Sequence, residues 1–174
     1  MPARQESCSF TGHRPGKLPW HYREEDLRCM ELKRRMSAAI EAAYQEGYRH
    51  FICGMAMGCD LYFCECALDL RKQYPDITVE AAIPCPTQAD RWPAAQRRRY
   101  AELVAACDLE TLVSDAYSAT CMQRRDRYMV DRSAMLIAAF DGSAGGTRYT
   151  VEYAMRRGLD IVDIPIPQDY PTGE

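Results

Sequence analysis

Ala134-Met-Leu-Ile-Ala-Ala-Phe140-Asp-Gly-Ser-Ala-Gly-Gly-Thr147 decides how this chain folds. Seven apolar residues in unbroken succession are short for a helix and read as a buried strand. Small residues and three glycines then turn the chain, and an amphipathic helix follows to 157, where Gly158 stops it. A strand, a glycine-rich turn and a helix make half of a βαβ unit, so the rest of the chain should repeat the alternation.

It does. Strands are predicted over 7–10, 50–53, 78–83, 109–113, 134–140 and 161–164. Helices are predicted over 24–46, 60–73, 93–106 and 123–132, besides the one that ends at 157. The expected architecture is one α/β domain, a Rossmann-like doubly wound, mainly parallel sheet of about six strands with helices on both faces. Its core would span 7–165, and the polar, proline-containing segment 167–174 reads as a frayed tail. Right-handed crossovers put all strand C-termini on one edge, so the turns after the first, second and fifth strands should converge there.

Composition narrows the function. The 22 Lys and Arg stand against 25 Asp and Glu, a net charge of −3, which gives no global basic field for nucleic acid or an anionic membrane. No apolar run approaches the ~20 residues that span a bilayer. The stretch Met1-Pro2-Ala3-Arg4-Gln5-Glu6 lacks the apolar segment of a signal peptide, so the cytoplasm is the expected compartment. Nine cysteines, an odd and scattered set, argue against a disulfide framework. Cys59, Cys64 and Cys66 lack the paired C-x2-C spacing of zinc sites, so no metal is expected and the thiols read as small buried hydrophobes.

Three turns carry the chemistry. Gly145 and Gly146 allow close backbone approach, and the N–H groups at the following helix start favour an anion. Thr147 is suited both to cap that helix and to donate its hydroxyl to a phosphate. In Gly54-Met-Ala-Met-Gly58-Cys-Asp60 the glycines permit a tight turn. Asp60 there either accepts ribose hydroxyls or simply caps the helix. Thr11-Gly12-His13-Arg14 supplies a hydroxyl, a flexible glycine and, in Arg14, a guanidinium suited to oxyanions. His13 has no partner legible in the sequence and reads as a surface-loop histidine.

Trp92, Gln96 and Tyr100 share one helical face, and such aromatics read as core or interface, with base stacking the alternative. Arg97, Arg98 and Arg99 read as a solvated face. The arginines in Arg124-Arg125-Asp126-Arg127 either reach the ligand edge or form surface ion pairs.

In this order the motifs Thr11-Gly12-His13-Arg14, Gly54-x3-Gly58-x-Asp60, Ile83-Pro84 with Gln88, Trp92-x3-Gln96-x3-Tyr100, Met129-Val-Asp-Arg-Ser133 and Gly145-Gly146-Thr147 resemble the YpsA-like family. That family belongs to the SLOG superfamily, with DprA-like proteins and the phosphoribohydrolases once labelled lysine decarboxylases. The resemblance covers residues 7–165. It implies a pocket for a nucleotide-derived ligand such as ADP-ribose, with no further cofactor required, and self-association into a homo-oligomer. Gly54, Gly58 and Asp60 look like the superfamily's Ser-Gly-x-Ala-x-Gly-x-Asp turn, with Cys53 in place of the serine. Gly145, Gly146 and Thr147 look like its phosphate loop, shortened.

The hydrolase branch carries an Arg-Lys pair and a glutamate three residues after the loop threonine. Here Arg125 matches the arginine, but Asp126 and Thr150 stand where the lysine and the glutamate would be. Glu152 is the nearest carboxylate and belongs to another helical face. Binding or sensing of a small nucleotide-type ligand is therefore the leading expectation. Hydrolysis of a nucleotide N-glycosidic bond through Asp60, Arg125 or Glu152 is the alternative. A DprA-like single-stranded DNA binder is a third reading, disfavoured by the acidic charge.

Overall fold

A computed structural model describes residues 2–172; Met1 and residues 173–174, the ends of the two expected terminal segments, lie outside the described residues. Six parallel strands form one sheet in the order β4-β3-β2-β1-β5-β6. They are β1 (Ser7–Gly12), β2 (His50–Cys53), β3 (Thr78–Ile83), β4 (Leu109–Leu112), β5 (Met135–Phe140) and β6 (Asp160–Pro165). The crossovers are α1 (Leu27–Gln45), α2 (Cys59–Gln73), α3 (Ala94–Ala106), α4 (Cys121–Asp131) and α5 (Gly146–Arg156). The sheet is wholly parallel where the sequence predicted one mainly so. Among the described residues no helix is long and apolar enough to cross a membrane.

Strand side chains alternate between two cores, as the period of two requires. Cys8, Phe10, Phe51, Val79, Ala81 and Ile137 face the larger one, together with buried residues of α1 and α2. Phe10 stacks on Phe63 of α2 with ring centroids 4.3 Å apart. Leu136 and Ala138 turn the other way, toward Val130 of α4 and Val151 and Ala154 of α5. Each large side chain removed from water contributes on the order of 2 kcal/mol. Nine free cysteines are distributed through this interior, seven of them buried. Cys64 and Cys107 come within 3.7 Å as thiols.

Several boundaries moved for identifiable reasons. β1 runs on through Thr11 and Gly12 because both pair with β5, opposite Ala138 and Ala139. α1 starts at Leu27, since the Asp26 carboxylate accepts the Arg28 N–H at 2.9 Å and caps the helix. It ends as expected at Gly47 (φ 105°), with the Tyr48 N–H on the Ala43 carbonyl. Trp92 precedes α3 rather than lying in it, because Pro93 is that helix's N-cap. Arg99 leaves the predicted solvated face and bridges Glu24, at 2.6 Å, and Glu65, at 3.0 Å.

The expected frayed tail is partly docked. Ile166 and Pro167 are buried, and Arg28 donates to the Gln168 carbonyl at 3.3 Å while lying over the Tyr170 ring.

Candidate functional site

The chain steps from β1 outward through β2, β3 and β4, then returns to the opposite side of β1 to lay down β5 and β6. At such a reversal the loops leaving the neighbouring strands part, and a crevice opens beyond their C-terminal ends. Here it is a cleft of about 300 Å³. The segment after β1, the turn after β2, one side of α4 and the first residues of α5 all reach it.

The predicted glycines divide into two kinds. Gly12, Gly54 and Gly58 shape the floor. A Cβ on Gly12 would come within 2.6 Å of Cys59 Cβ, and one on Gly58 (φ 89°) within 2.9 Å of the His13 carbonyl oxygen. One on Gly54 would meet the Arg125 guanidinium at 2.6 Å. Gly54 and Gly58 are buried and do not line the cleft. Gly146 does line it, and nothing lies within 4 Å of where its Cβ would project. Gly145 (φ 147°) stands just behind, as the N-cap of α5.

Thr147 therefore sits inside the first turn of α5 rather than capping it, because the helix begins two residues earlier than a Thr147 cap would require. Among the described residues no side chain caps this helix, which leaves its leading N–H groups available. Thr147 and Thr11 both line the cleft, and among the described residues neither hydroxyl is hydrogen-bonded. Arg14 is exposed at the mouth, with no ion pair among the described residues.

Asp60 is buried at the start of α2, and its Oδ2 accepts the Ala56 N–H at 3.1 Å, which ties the turn after β2 to the helix. Burial pushes its carboxyl up to about 6, against the opposing pull of Arg125. Arg125, 4 % exposed, donates through Nη1 to the Gly54 carbonyl and through Nε to Asp126 Oδ1 at 2.7 Å. Of the arginines at 124, 125 and 127, Arg125 alone turns inward; Arg124 and Arg127 are exposed. Glu152 is not brought to the cleft: it is exposed and paired with Arg148 at 3.0 Å. Thr150 is buried and donates its hydroxyl to the Gly146 carbonyl at 3.0 Å.

Two features escaped the sequence. His13 is 2 % exposed rather than on a surface loop, and its Nε2 lies 2.9 Å from Asp141 Oδ1 and 3.1 Å from the Asp141 N–H. Hydrogen bonds from Ser143, and then His13, hold the Asp141 carboxyl well below the usual carboxylate range. Lys17 donates to the Ala144 carbonyl at 2.6 Å and so straps the loop before α5 to the segment after β1. Its position just past Pro15-Gly16 was the only available signal. Among the described residues no three His, Cys, Asp or Glu side chains converge as metal ligands.

The match to known proteins runs along most of this frame. The model of the YspA SLOG family matches residues 8–161. The SPbeta prophage-derived protein YoqJ of Bacillus subtilis (strain 168) is 32% identical over 143 residues, which cover 75% of this chain and 84% of that protein. The UPF0398 protein YpsA of the same strain is 23% identical over 152 residues, 86% of this chain and 84% of its own. Among solved structures, DNA processing protein A of Streptococcus pneumoniae matches with a TM-score of 0.63 at 14% identity, covering 94% of this chain but 52% of that one. Its Helicobacter pylori counterpart gives 0.62 at 14%, covering 97% and 68%. At that identity the likeness is one of fold.

Proposed function

The chain belongs to the YspA SLOG family, and on that premise we propose that it binds a nucleotide-derived ligand with a phosphate group at Gly146 and Thr147. One observation carries the reading: segments far apart in sequence, around Thr11–Arg14, Asp60, Arg125 and Gly146, meet at one 300 Å³ cleft at the strand-order reversal. The uncapped N–H groups of α5 suit an anion, and Arg14 adds a guanidinium at the mouth. Asp60 Oδ1 takes no hydrogen bond from the described residues and suits a ribose hydroxyl.

A thermal-shift screen tests this. ADP-ribose or a related nucleotide raises the melting temperature, since a ligand that binds only the folded state stabilises it. Gly146→Asp puts a carboxylate into the open space above the turn and abolishes the shift. Retained binding in that variant removes the site assignment.

One observation favours a second reading, hydrolysis of a nucleotide N-glycosidic bond. A buried carboxyl that titrates near 6 at the floor of a cleft is suited to proton transfer at neutral pH. Under this reading Asp60 carries the chemistry, because Thr150 and Glu152 offer the cleft no carboxylate. Release of free base or ribose phosphate from a nucleotide panel, lost in Asp60→Asn, supports it; no turnover at high protein concentration rejects it. For the DNA-binding reading, Arg99 and Arg125 are already engaged in ion pairs, which leaves fewer cations for a strand's phosphates.

A further inference from the structure

A second hollow of about 520 Å³ opens beyond the C-terminal end of β3, walled by Trp92, Tyr117 and Met122. Met122, in the first turn of α4, lines the 300 Å³ cleft as well. The two spaces are also joined beneath. The Gly54 carbonyl accepts Arg125 from the cleft side and Gln88 Nε2, at 3.4 Å, from the side of the hollow.

We propose that this hollow is the base-binding half of the same site, so that the ligand is a nucleoside phosphate with its planar ring against Trp92 and Tyr117. The inference rests on the phosphate-binding reading above and names what lies at the ligand's other end. A cleft of 300 Å³ is at the small end for a whole nucleotide. It also offers little aromatic face to a base, because Phe10 is fully buried and stacked on Phe63. The hollow does offer such faces. Trp92 is half-buried and braced edge-on by Tyr100 at 5.3 Å, while Tyr117 is 71 % exposed and belongs to no apolar cluster. Stacking of this kind is tolerant of base identity. Asp90 and Arg91 at the rim supply an acceptor and a donor for ring-edge groups.

The experiment compares adenosine monophosphate and ADP-ribose with ribose 5-phosphate, which has the phosphate and sugar but no base. Affinities are measured by calorimetry. Tryptophan fluorescence gives a second readout, since Trp20 is fully buried and ring contact quenches Trp92 selectively. We expect at least one of the two nucleotides to bind about tenfold more tightly than ribose 5-phosphate and to quench Trp92. Tyr117→Ala, at an exposed position that leaves folding intact, erases that advantage and leaves ribose 5-phosphate affinity unchanged. Equal affinities in the wild type, or a variant that weakens both classes alike or neither, overturn the base subsite and leave the phosphate site standing. No binding by any of the three phosphates overturns both.

Discussion

Two groups of buried polar side chains sit on this sheet, and they differ in how fully they are paired. On β2, β3 and β4, His50 places Nδ1 2.7 Å from the Thr78 hydroxyl and Nε2 2.8 Å from Glu80 Oε1. Tyr128 and Thr111 donate to the other Glu80 oxygen at 2.7 and 3.0 Å. Burial alone would raise the Glu80 carboxyl, but the bonds from His50, Tyr128 and Thr111 hold it below its ordinary value. Asp60 is as deeply buried, yet receives one backbone N–H, and its carboxyl is pushed up to about 6. At Glu80 the donors together outweigh burial; at Asp60 burial outweighs its single N–H and the charge of Arg125. A closed set of partners fixes the fold at Glu80; an open set at Asp60 leaves bonding capacity for something that enters the cleft.

The sharpest way to break that contrast is to open the closed set. Glu80→Ala strands His50 Nε2 in the interior and takes the acceptor from the half-buried Tyr128 and Thr111 hydroxyls, and should cost about 3 kcal/mol in urea unfolding. If ligand affinity in the distant cleft falls in step with it, the two groups are not independent.

Asp60→Asn probes the open set. The folded protein holds the Asp60 proton up to about pH 6, whereas an unfolded aspartate releases it near 3.8. Folding takes up a proton between those values, so wild-type stability falls as the pH rises through that window. The asparagine variant lacks this loss. Its stability relative to wild type should climb by on the order of 2 kcal/mol from pH 4 to pH 6 and level off by about pH 7. Denaturant midpoints at matched pH read the difference, and parallel profiles would mean that Asp60 does not titrate there.

Arg14→Ala is the mildest change. It removes an exposed guanidinium with no ion pair among the described residues, so stability should stay within about 0.5 kcal/mol while phosphate-ligand affinity drops about tenfold. A stability loss without an affinity loss would move Arg14 to the structural side of the comparison.

Much of this frame was legible in the sequence. The runs 50–53 and 78–83 coincide with β2 and β3, because a buried strand between glycine and proline turns leaves the local pattern little freedom. The turns at Gly12, Gly54–Asp60 and Gly146 were found because right-handed crossovers force strand ends to one edge. Partners joined only by tertiary packing were not legible. His13 meets Asp141 across 128 residues, and nothing near either residue announces the other. Whether Arg125 or its neighbours turned inward depended on how α4 docks against the end of β2. Thr147 was misplaced by two helical positions, since Gly145 and not Thr147 is the N-cap.

The cysteines have a consequence for handling and measuring this protein. Thiols react as thiolates, and burial opposes that form: it raises Cys8 and Cys53, and pushes Cys29 up to about 11. The seven buried sulfurs are shielded from alkylating reagents and oxidants while the sheet is closed, and become available when it opens. The chain thus carries its own clock for opening: the rate at which these thiols are labelled, with and without ligand, reads the stability of the fold without any introduced probe.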